Sequence, residues 1–370
     1  MVYLAVLGRQ PEISVAELEA VFSRVCRITS KLATFEAEAL PEIDRLGGQV
    51  KLAARLEKKP LEYLMGLPEG KITLGVSDYS RNASAKTAML EALKLKKILV
   101  RHGRSVRVVE GRGATLPTAT SLHNGLSGKN TRKIELIKLE DAWYRVIGVQ
   151  DIDAYSRRDQ ARPARDAKVG MLPPKLAQIL INLCGPLPKE ARVLDPFCGT
   201  GVVLQEALLM GYQAYGTDIS ERMVECTTKN LAWLADSHKL HLSPEAYQVS
   251  TGDATSYQWR MGIDVVACEA YLGTPMSTPP TDLKLKSEKQ TCQAIILGFL
   301  RNLSSQITSN TPVTIAIPAW LRQNGTYSRL EILDEIENLG YNVNNKSREG
   351  LLYFRDGQIV ARDIIILRKK

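Results

Sequence analysis

The feature that most constrains the fold is a pattern repeated in the second half of the chain, in which an apolar strand ends in an acid and a turn and a helix follow. The first copy is residues 191–195, which lead into the glycine turn DPFCGTG and a helix. The second is residues 214–218, followed by a helix over residues 223–234. Strands that alternate with helices pair in parallel, because each helix returns the chain to the same edge of the sheet. We therefore expect an open, mostly parallel sheet with helices on both faces.

The same alternation continues to the C-terminus. Further predicted elements are helices over residues 175–183 and 293–303 and strands over residues 247–250, 263–268 and 313–318. An apolar hairpin, residues 351–355 with residues 359–367, would add an antiparallel pair at one end. The sequence thus predicts a doubly wound α/β domain.

The first part of the chain predicts a smaller α/β module. It has predicted strands over residues 2–7, 71–79 and 105–109 and a predicted helix over residues 84–102. Ser14 and Glu17 match a capping box at the start of another helix. Residues 151–175 combine proline with alternating charge and show no helical or strand periodicity, which is typical of an interdomain connection. We place the boundary near residue 165, giving domains over residues 1–165 and 166–370.

The positive charge of the chain lies entirely in the first module. Residues 1–165 contain 28 Lys and Arg against 19 Asp and Glu, whereas residues 166–370 contain 21 of each. Clustered basic residues attract polyanions, so nucleic acid is the expected partner, although a solvated charged face is the ordinary alternative. The candidate RNA-binding residues are Arg101, Arg104, Arg107, Lys129, Arg132 and Lys133. Four connector residues could also guide RNA towards the second domain: Arg157, Arg158, Arg162 and Arg165.

Composition excludes several other classes of protein. The 6 cysteines include no C-x-x-C pair, so neither a zinc site nor a disulfide framework is indicated, and we expect no metal. No apolar run approaches the roughly 18 residues of a membrane span. The N-terminus also lacks the basic start of a secretory leader. We expect a soluble, cytoplasmic protein without a membrane partner.

Three acids follow successive predicted strands and indicate a ligand site. They are Asp195, Asp218 and Asp253, and the carboxyl ends of parallel strands meet at one edge, where such folds bind ligands. Asp218 lies 17 residues beyond Gly201, near the spacing at which an acid accepts hydrogen bonds from ribose hydroxyls. Leu204 occupies the third-glycine position of a dinucleotide fingerprint, which disfavours NAD. Each acid alone is better explained as a turn or cap residue, but the three together predict a nucleoside ligand.

These motifs, with a fourth strand that runs into Glu269-Ala270-Tyr271-Leu272-Gly273, resemble the amino-directed class of S-adenosylmethionine-dependent methyltransferases. More narrowly, the chain resembles the archaeal-type tRNA guanine-10 N2-methyltransferases and their eukaryotic relatives, which join an N-terminal THUMP-containing region to a Rossmann-like catalytic domain. The segments that carry this resemblance over nearly the whole chain are MVYLAVLGRQPEISVAELEAVF, LPTATSLHNGL, ARPARDAKVGMLPPKLAQILINL and LYFRDGQIVARDIIIL. The resemblance implies S-adenosyl-L-methionine as cofactor and tRNA as partner, and leaves room for a small activating protein subunit.

The resemblance also implies roles for individual residues. Asp195 would line the methionine and ribose portion of the cofactor, Asp218 would bind the ribose hydroxyls, and Asp253 would face the adenine amine. The full set of implied cofactor-binding residues is Asp195, Pro196, Gly199, Gly201, Asp218, Ile219, Asp253, Ala254 and Leu172, with Pro173 beside Leu172.

The fourth-strand motif departs from the family, which usually has Asp-Pro-Pro-Tyr-Gly. Aligning the glycines places Glu269 at the acid and Leu272 at the aromatic, while Tyr271 would reach the aromatic's place if the turn advances by one residue. In this chemistry the acid accepts hydrogen from a guanine amine, the aromatic stacks on the flipped base, and alignment with an already activated sulfonium requires no metal. Glu269 and Tyr271 are therefore the candidate catalytic residues, and the alternative is that both merely end a strand. An RNA-binding accessory protein without turnover and a DNA amino-methyltransferase remain the rival functions.

Overall fold

The computed structural model describes residues 1–165 and 171–370, which form two compact units, Met1–Tyr155 and Ser156–Lys370. The boundary predicted from sequence, residue 165, lies further along the same connecting stretch. The expectation that this stretch lacks regular structure is wrong for Ile152–Gln160, which is helical. Arg158 is buried in this helix, so its inward side is partly charged and no apolar periodicity marks it.

The first unit contains one mixed sheet. Its strands are β1 Val2–Leu7, β2 Ser23–Arg27, β3 Leu32–Glu36, β4 Gln49–Arg55, β5 Ile72–Asp78, β6 Val106–Val108, β7 Lys133–Leu139 and β8 Ala142–Val149. Its helices are α1 Pro11–Val21, α2 Pro60–Met65, α3 Ala85–Arg101 and α4 Thr118–His123, with a 3-10 turn at Ile43–Arg45. The described strands are ordered β2-β3-β1-β4-β8-β7-β5-β6, and β5 runs parallel to β6 and β7. The predicted strands β1, β5 and β6 and the helix α3 are confirmed.

The capping box predicted at Ser14 and Glu17 is wrong. Helix α1 begins at Pro11, a residue favoured at the first helical position because its missing N–H would have no partner there. Ser14 Oγ instead donates to the Gly48 carbonyl at 2.7 Å, and the buried Glu17 carboxylate accepts from the backbone N–H groups of Gly47 at 2.9 Å and Gly48 at 2.8 Å. Both side chains join α1 to a distant loop, a use that no local pattern reveals.

A buried ion pair ties the segment before β7 to the sheet of the first unit. Lys51 Nζ lies 2.6 Å from Glu135 Oε1 and also donates to the Leu116 carbonyl and to Ser121 Oγ, each at 2.8 Å. Ser121 Oγ in turn donates to Glu135 Oε2 at 2.6 Å. Burial lowers the pKa of Lys51, and the Glu135 carboxylate acts in the opposite direction. The start of α4 is therefore fixed by charge-assisted hydrogen bonds.

The second unit is the doubly wound α/β domain predicted from sequence. Helix α5 Ile152–Gln160 begins in the first unit and ends in the second. The other helices of the second unit are α6 Pro174–Leu183, α7 Val202–Leu209, α8 Glu221–His238, α9 Asp282–Ser304, α10 Leu333–Asn338 and α11 Asn345–Glu349. Its strands are β9 Arg192–Asp195, β10 Gln213–Asp218, β11 Tyr247–Thr251, β12 Val265–Glu269, β13 Pro312–Leu321, β14 Tyr327–Ser328, β15 Tyr341–Val343, β16 Leu352–Tyr353 and β17 Val360–Lys369. The described strands are ordered β11-β10-β9-β12-β13-β17-β15, with β14 on β13 and β16 on β17.

The five strands from β11 to β13 are parallel, and β17 inserts antiparallel to β13. The predicted C-terminal hairpin is confirmed by the antiparallel pairing of β16 with β17. Successive residues of a strand point to opposite faces of the sheet, and each face is covered by helices. Thr314 faces α6, where Cys184 Sγ lies 3.3 Å from Thr314 Oγ1, whereas Ile315 joins the apolar core that contains Phe299 of α9. Helix α9 begins at Asp282, well before the predicted residue 293, because Thr281 caps it by accepting from the Lys284 N–H.

Candidate active site

The turn after β9 provides an open backbone surface. Asp195 is buried at the end of β9, and its Oδ1 accepts from the Phe197 N–H at 3.1 Å. Gly199 has φ +51, and a Cβ there would meet nothing nearer than the Phe197 carbonyl oxygen at 3.9 Å, so this side of the turn can be approached closely. Gly201 has φ +81, and a Cβ there would lie 2.7 Å from Thr227 Cγ2. The first glycine leaves space for a ligand, and the second allows α8 to pack.

Asp218, at the end of β10, lies beside this turn. Its Oδ2 accepts from the Gly199 N–H and its Oδ1 from the Ser220 N–H, both at 2.9 Å. The next residue, Ile219, is 72% exposed although it is strongly apolar. An acceptor group and an uncovered apolar side chain therefore lie next to each other at the strand end, as a ligand with a polar sugar and an apolar base would require.

The loop after β11 lies next to the Asp218 loop. The Gly252 N–H donates to the Asp218 carbonyl at 2.9 Å. Asp253 is exposed, and its Oδ1 accepts from the Thr255 N–H at 2.9 Å and from Thr255 Oγ1 at 2.8 Å, while Ala254 is buried beneath it. Asp253 thus shapes its own turn, and its Oδ2 has no hydrogen-bond partner within the described part of the chain.

Electrostatics link three of the strand ends. Burial raises the pKa of Asp195, and the charges of Asp218 and Glu269 raise it further. Because β9 lies between β10 and β12 and pairs with both in parallel, the carboxylates at the ends of these three strands lie at one edge of the sheet. Strands that end in Asp195, Asp218 and Glu269 thus meet at this edge; the strand pattern predicts the first two together with Asp253, and Glu269 was proposed from the family resemblance.

Glu269 ends β12 with one carboxylate oxygen engaged. Its Oε1 accepts from Arg362 Nε at 2.8 Å, and its side chain keeps 15% exposure. Burial raises the pKa of Glu269, and the Arg362 guanidinium opposes this. Oε2 has no hydrogen-bond partner among the described residues, so it can accept one from a ligand.

The segment after Glu269 is anchored at its far end by helix α9. The buried Glu288 accepts from the Thr274 N–H at 3.0 Å and from Thr274 Oγ1 at 2.6 Å, and Lys284 Nζ lies 2.7 Å from it. Gly273 has φ +86, and a Cβ there would lie 2.5 Å from Glu288 Oε2. Between these anchors Tyr271 is 39% exposed. Its ring is accessible to a flat ligand.

Leu172 is buried just before α6, and Pro173 is the N-cap of that helix. Residues 166–170, part of the approach segment in the sequence prediction, lie outside the described residues. The side chain of Leu172, an expected cofactor neighbour, is enclosed by protein.

The predicted RNA-binding residues cluster in the first unit. Because β5, β6 and β7 are parallel, the chain enters them at one edge, where Arg104 precedes β6 and Arg132 precedes β7. Arg107 and Lys133 lie opposite Thr73 on its two sides, so their side chains share one face. The exposed members of the predicted set are Arg101, Arg107, Lys129, Arg132 and Lys133.

Two members of the set bind the loop that precedes β5. Arg132 Nη1 donates to the Glu69 carbonyl at 2.9 Å, and Arg104 binds the residues just before it. The Arg104 guanidinium donates to the carbonyls of Leu67 at 2.9 Å and Pro68 at 2.7 Å, so it holds a loop in place. Lys129 Nζ lies 3.9 Å from the exposed Asp44, a weak pair that a phosphate could displace.

Two of the connector arginines are buried, so the expectation that the connector arginines guide RNA is wrong for them. Arg158 Nε lies 2.7 Å from Glu206 Oε1, and the Arg162 side chain is fully enclosed 3.7 Å from Asp159. Burial raises the pKa of Glu206, and Arg158 acts against this shift. These arginines compensate buried charge inside the second unit, whereas Arg157 and Arg165 are exposed.

Arg362 and Glu288 are site residues that the sequence reasoning missed. Arg362 lies 93 residues from Glu269 along the chain, so no local spacing connects them. Glu288 lies in a helical stretch of mixed charge that gives no sign that one carboxylate is buried.

Among the described residues, no helix is long and apolar enough to cross a membrane.

Comparison with known proteins places the second unit in a recognised group. Residues 162–269 match the model of a family described as RMKL-like, methyltransferase domain. This match contains the turn after β9 and the ends of β10, β11 and β12. The chain therefore carries a methyltransferase domain.

Relatives extend the similarity beyond this domain. A tRNA (guanine(10)-N2)-dimethyltransferase of Methanothermobacter thermautotrophicus is 33% identical over 165 residues, 44% of each chain. A protein of the same name from Pyrococcus abyssi is 27% identical over 296 residues, 75% of this chain and 80% of the relative. The chain thus spans less than half of the first relative and four-fifths of the second. Among solved structures, TrmN from Thermus thermophilus covers 100% of both chains at 17% identity and TM-score 0.48.

Proposed function

We propose that this chain transfers a methyl group from S-adenosyl-L-methionine to the exocyclic N2 amine of a guanosine in tRNA, and that the guanosine is the one at position 10. The observation that carries the proposal is the convergence of Asp195, Asp218 and Glu269 at one edge of a parallel sheet within a methyltransferase domain. The names of the relatives supply the substrate and position. A tRNA substrate also makes the cytoplasm the site of action.

The residues of this edge fit the cofactor. The open side of Gly199 admits a ligand close to the backbone, and the Asp218 carboxylate beside it can accept from ribose hydroxyls. Ile219 offers an uncovered apolar surface for the adenine, and Asp253 keeps a free oxygen for the adenine amine. When bound, the cofactor supplies a methyl group on an already activated sulfonium.

Glu269 and Tyr271 would act on the target base. The guanine amine is a weak nucleophile because its lone pair is delocalised into the ring. A carboxylate oxygen that accepts its hydrogen favours the pyramidal nitrogen that attacks, and Glu269 Oε2 is available for this. The exposed Tyr271 ring offers a stacking surface for a base taken out of its helix. The acceleration then comes mainly from holding nitrogen, methyl carbon and sulfur in line.

The first unit would bind the body of the tRNA as the THUMP-like part of the protein. Its exposed basic residues suit phosphate contact, with Arg107 and Lys133 on one face of the sheet and Arg132 at the adjoining edge. Such contacts read shape and charge and weaken as salt rises. The proposed site is assembled from this chain's own residues, and we include no activating subunit.

The test is incubation of the full chain with labelled cofactor and three substrates, followed by nucleoside analysis. The substrates are unmodified tRNA, the same tRNA with adenosine at position 10, and a DNA duplex. We expect N2-methylguanosine from the first substrate alone. Methylation of both tRNAs would refute position 10, methylated DNA would favour the DNA enzyme, and no product from any substrate would favour the accessory protein.

A further inference from the structure

The partner of Glu269 reaches it from two strands away. Strand β13 lies between β12, which carries Glu269, and β17, which carries Arg362. In the sheet register, Glu269 is opposite Ala316, and Ala316 is opposite Ile364, two residues from Arg362. Residues in register, or two apart on one strand, share a face, so Glu269, Ala316 and Arg362 lie on the same side of the sheet. The small, buried Ala316 leaves space for the arginine to pass over β13.

The surroundings of the Arg362–Glu269 pair make the protonation of Glu269 sensitive to the charge of Arg362. The Arg362 side chain is 5% exposed, so little water is available to screen either partner. Among the described residues, the charged groups that interact with Glu269 are Arg362 on β17 and Asp195 at the end of β9. The adjacent Cys268 thiol points to the opposite face of the sheet, into the apolar core. Burial raises the pKa of Glu269, whereas Arg362 stabilises its carboxylate, and the charge of Glu269 raises the pKa of Asp195.

The contact with Arg362 also gives the two carboxylate oxygens of Glu269 different roles. Arg362 Nε is bonded to Oε1 at 2.8 Å, which leaves Oε2 for a ligand. A pair that served stability alone could be replaced by packed apolar side chains at little cost. An arginine that fixes one oxygen of a site carboxylate does something that an apolar pair cannot do.

We infer that Arg362 is a positioning residue for methyl transfer: it holds Glu269 Oε1 and so presents Oε2 to the guanine amine. This inference rests on the proposed function. Arg362 acts through Glu269 and needs no contact with substrate. Its removal would leave Glu269 buried without a cation, so the carboxyl would hold its proton to higher pH and lose the negative charge that makes its oxygen a strong acceptor.

The first experiment is the pH profile of single-turnover methyl transfer by the full chain at saturating tRNA and cofactor. We expect Arg362→Gln to move the acid limb of the rate upward by about 1–3 pH units, the usual effect of losing an adjacent opposite charge. The defect then shrinks as pH rises, and Arg362→Lys restores part of the profile. The matched control is Arg329→Gln, which breaks the 2.6 Å pair with Asp363 on the same strand but leaves Glu269 untouched, and its profile should keep the wild-type limb. A defect of Arg362→Gln that is constant with pH would overturn the inference.

A second measurement needs no turnover. Carboxyl-carbon NMR of glutamate-labelled protein, with the Glu269 signal assigned by its loss in Glu269→Gln, gives the titration midpoint of Glu269 directly. An upward shift in Arg362→Gln supports the inference, and an unchanged midpoint refutes it. If wild type transfers no methyl group while the midpoint still moves, the proposed function fails and the hold of Arg362 on Glu269 stands.

If Arg362→Gln does not fold, the double variant Glu269→Gln/Arg362→Gln decides the matter. Recovery of folding shows that the unpaired Glu269 charge caused the failure, as the inference requires. A double variant that also fails to fold would show that Arg362 supports the sheet independently of Glu269, against the inference.

Discussion

Replacement of Glu269 by Gln tests the proposed chemistry at one atom. Glutamine has nearly the same shape, and its carbonyl oxygen can still accept from Arg362 Nε, now 2.8 Å from Oε1. The change then falls on the other position, where an NH2 group replaces Oε2. A donor would face the N–H of the target amine instead of an acceptor.

The structure sets the size of two expected effects. The chemical step should slow by on the order of 10²-fold or more, as for removal of a positioned acid-base group. Removing one partner of a buried pair costs about 3–5 kcal/mol when the remaining charge has no partner. Here the loss of stability should be smaller, because the hydrogen bond to Arg362 remains and a neutral Gln avoids the cost of burying a negative charge, the cost that raises the pKa of Glu269.

The assay compares single-turnover rates of wild type and Glu269→Gln on the same tRNA, with cofactor affinity from calorimetry and tRNA affinity from filter binding. We expect both affinities to change little, because the lost interaction forms mainly as the nitrogen becomes pyramidal. Equal, measurable rates would refute the reasoning and make Glu269 a strand terminator, with the amine positioned by backbone alone.

The parts of this fold that sequence predicts are those with a local physical cause. Strands β9, β10, β12, β13 and β17 contain apolar segments, and the turn at Gly199 and Gly201 requires positive φ, so these strands and the edge that carries the site can be predicted from the sequence. Strands β14 and β15 are short and have no such apolar run, and they were not predicted. Ser84 was predictable as the start of α3 because its side chain caps the Thr87 N–H three residues later. The positions of Asp195 and Asp218 follow from the same logic, since strand ends meet at one edge.

The remaining features depend on which charged residues become buried, and hydrophobic periodicity carries no information on that. Lys51 meets Glu135 from 84 residues away, and Arg158 meets Glu206 from 48. From the sequence alone, each of these four residues would be expected to be a solvated charge on the surface. The partner of Glu269 was unpredictable for the same reason.

Three further perturbations probe separate parts of the molecule. Asp218→Ala should weaken cofactor binding by calorimetry with the fold intact, because buried ligand hydroxyls lose their acceptor; unchanged affinity would remove the cofactor assignment. Glu288→Ala should lower kcat/KM for tRNA by about tenfold or more while cofactor affinity is unchanged. The reason is that the segment released from Glu288 at Thr274 must be ordered again, at about 1–2 kcal/mol per residue. An unchanged kcat/KM would show that the contact between Glu288 and Thr274 does not contribute to methyl transfer. Lys51→Met leaves the buried Glu135 carboxylate without its cation and should cost about 3–5 kcal/mol in urea denaturation. Because the penalty comes from an unpaired charge and not from lost packing, Lys51→Met/Glu135→Gln should recover most of it, and a double variant as unstable as the single one would mean that the lysine contributes through its stem and hydrogen bonds instead.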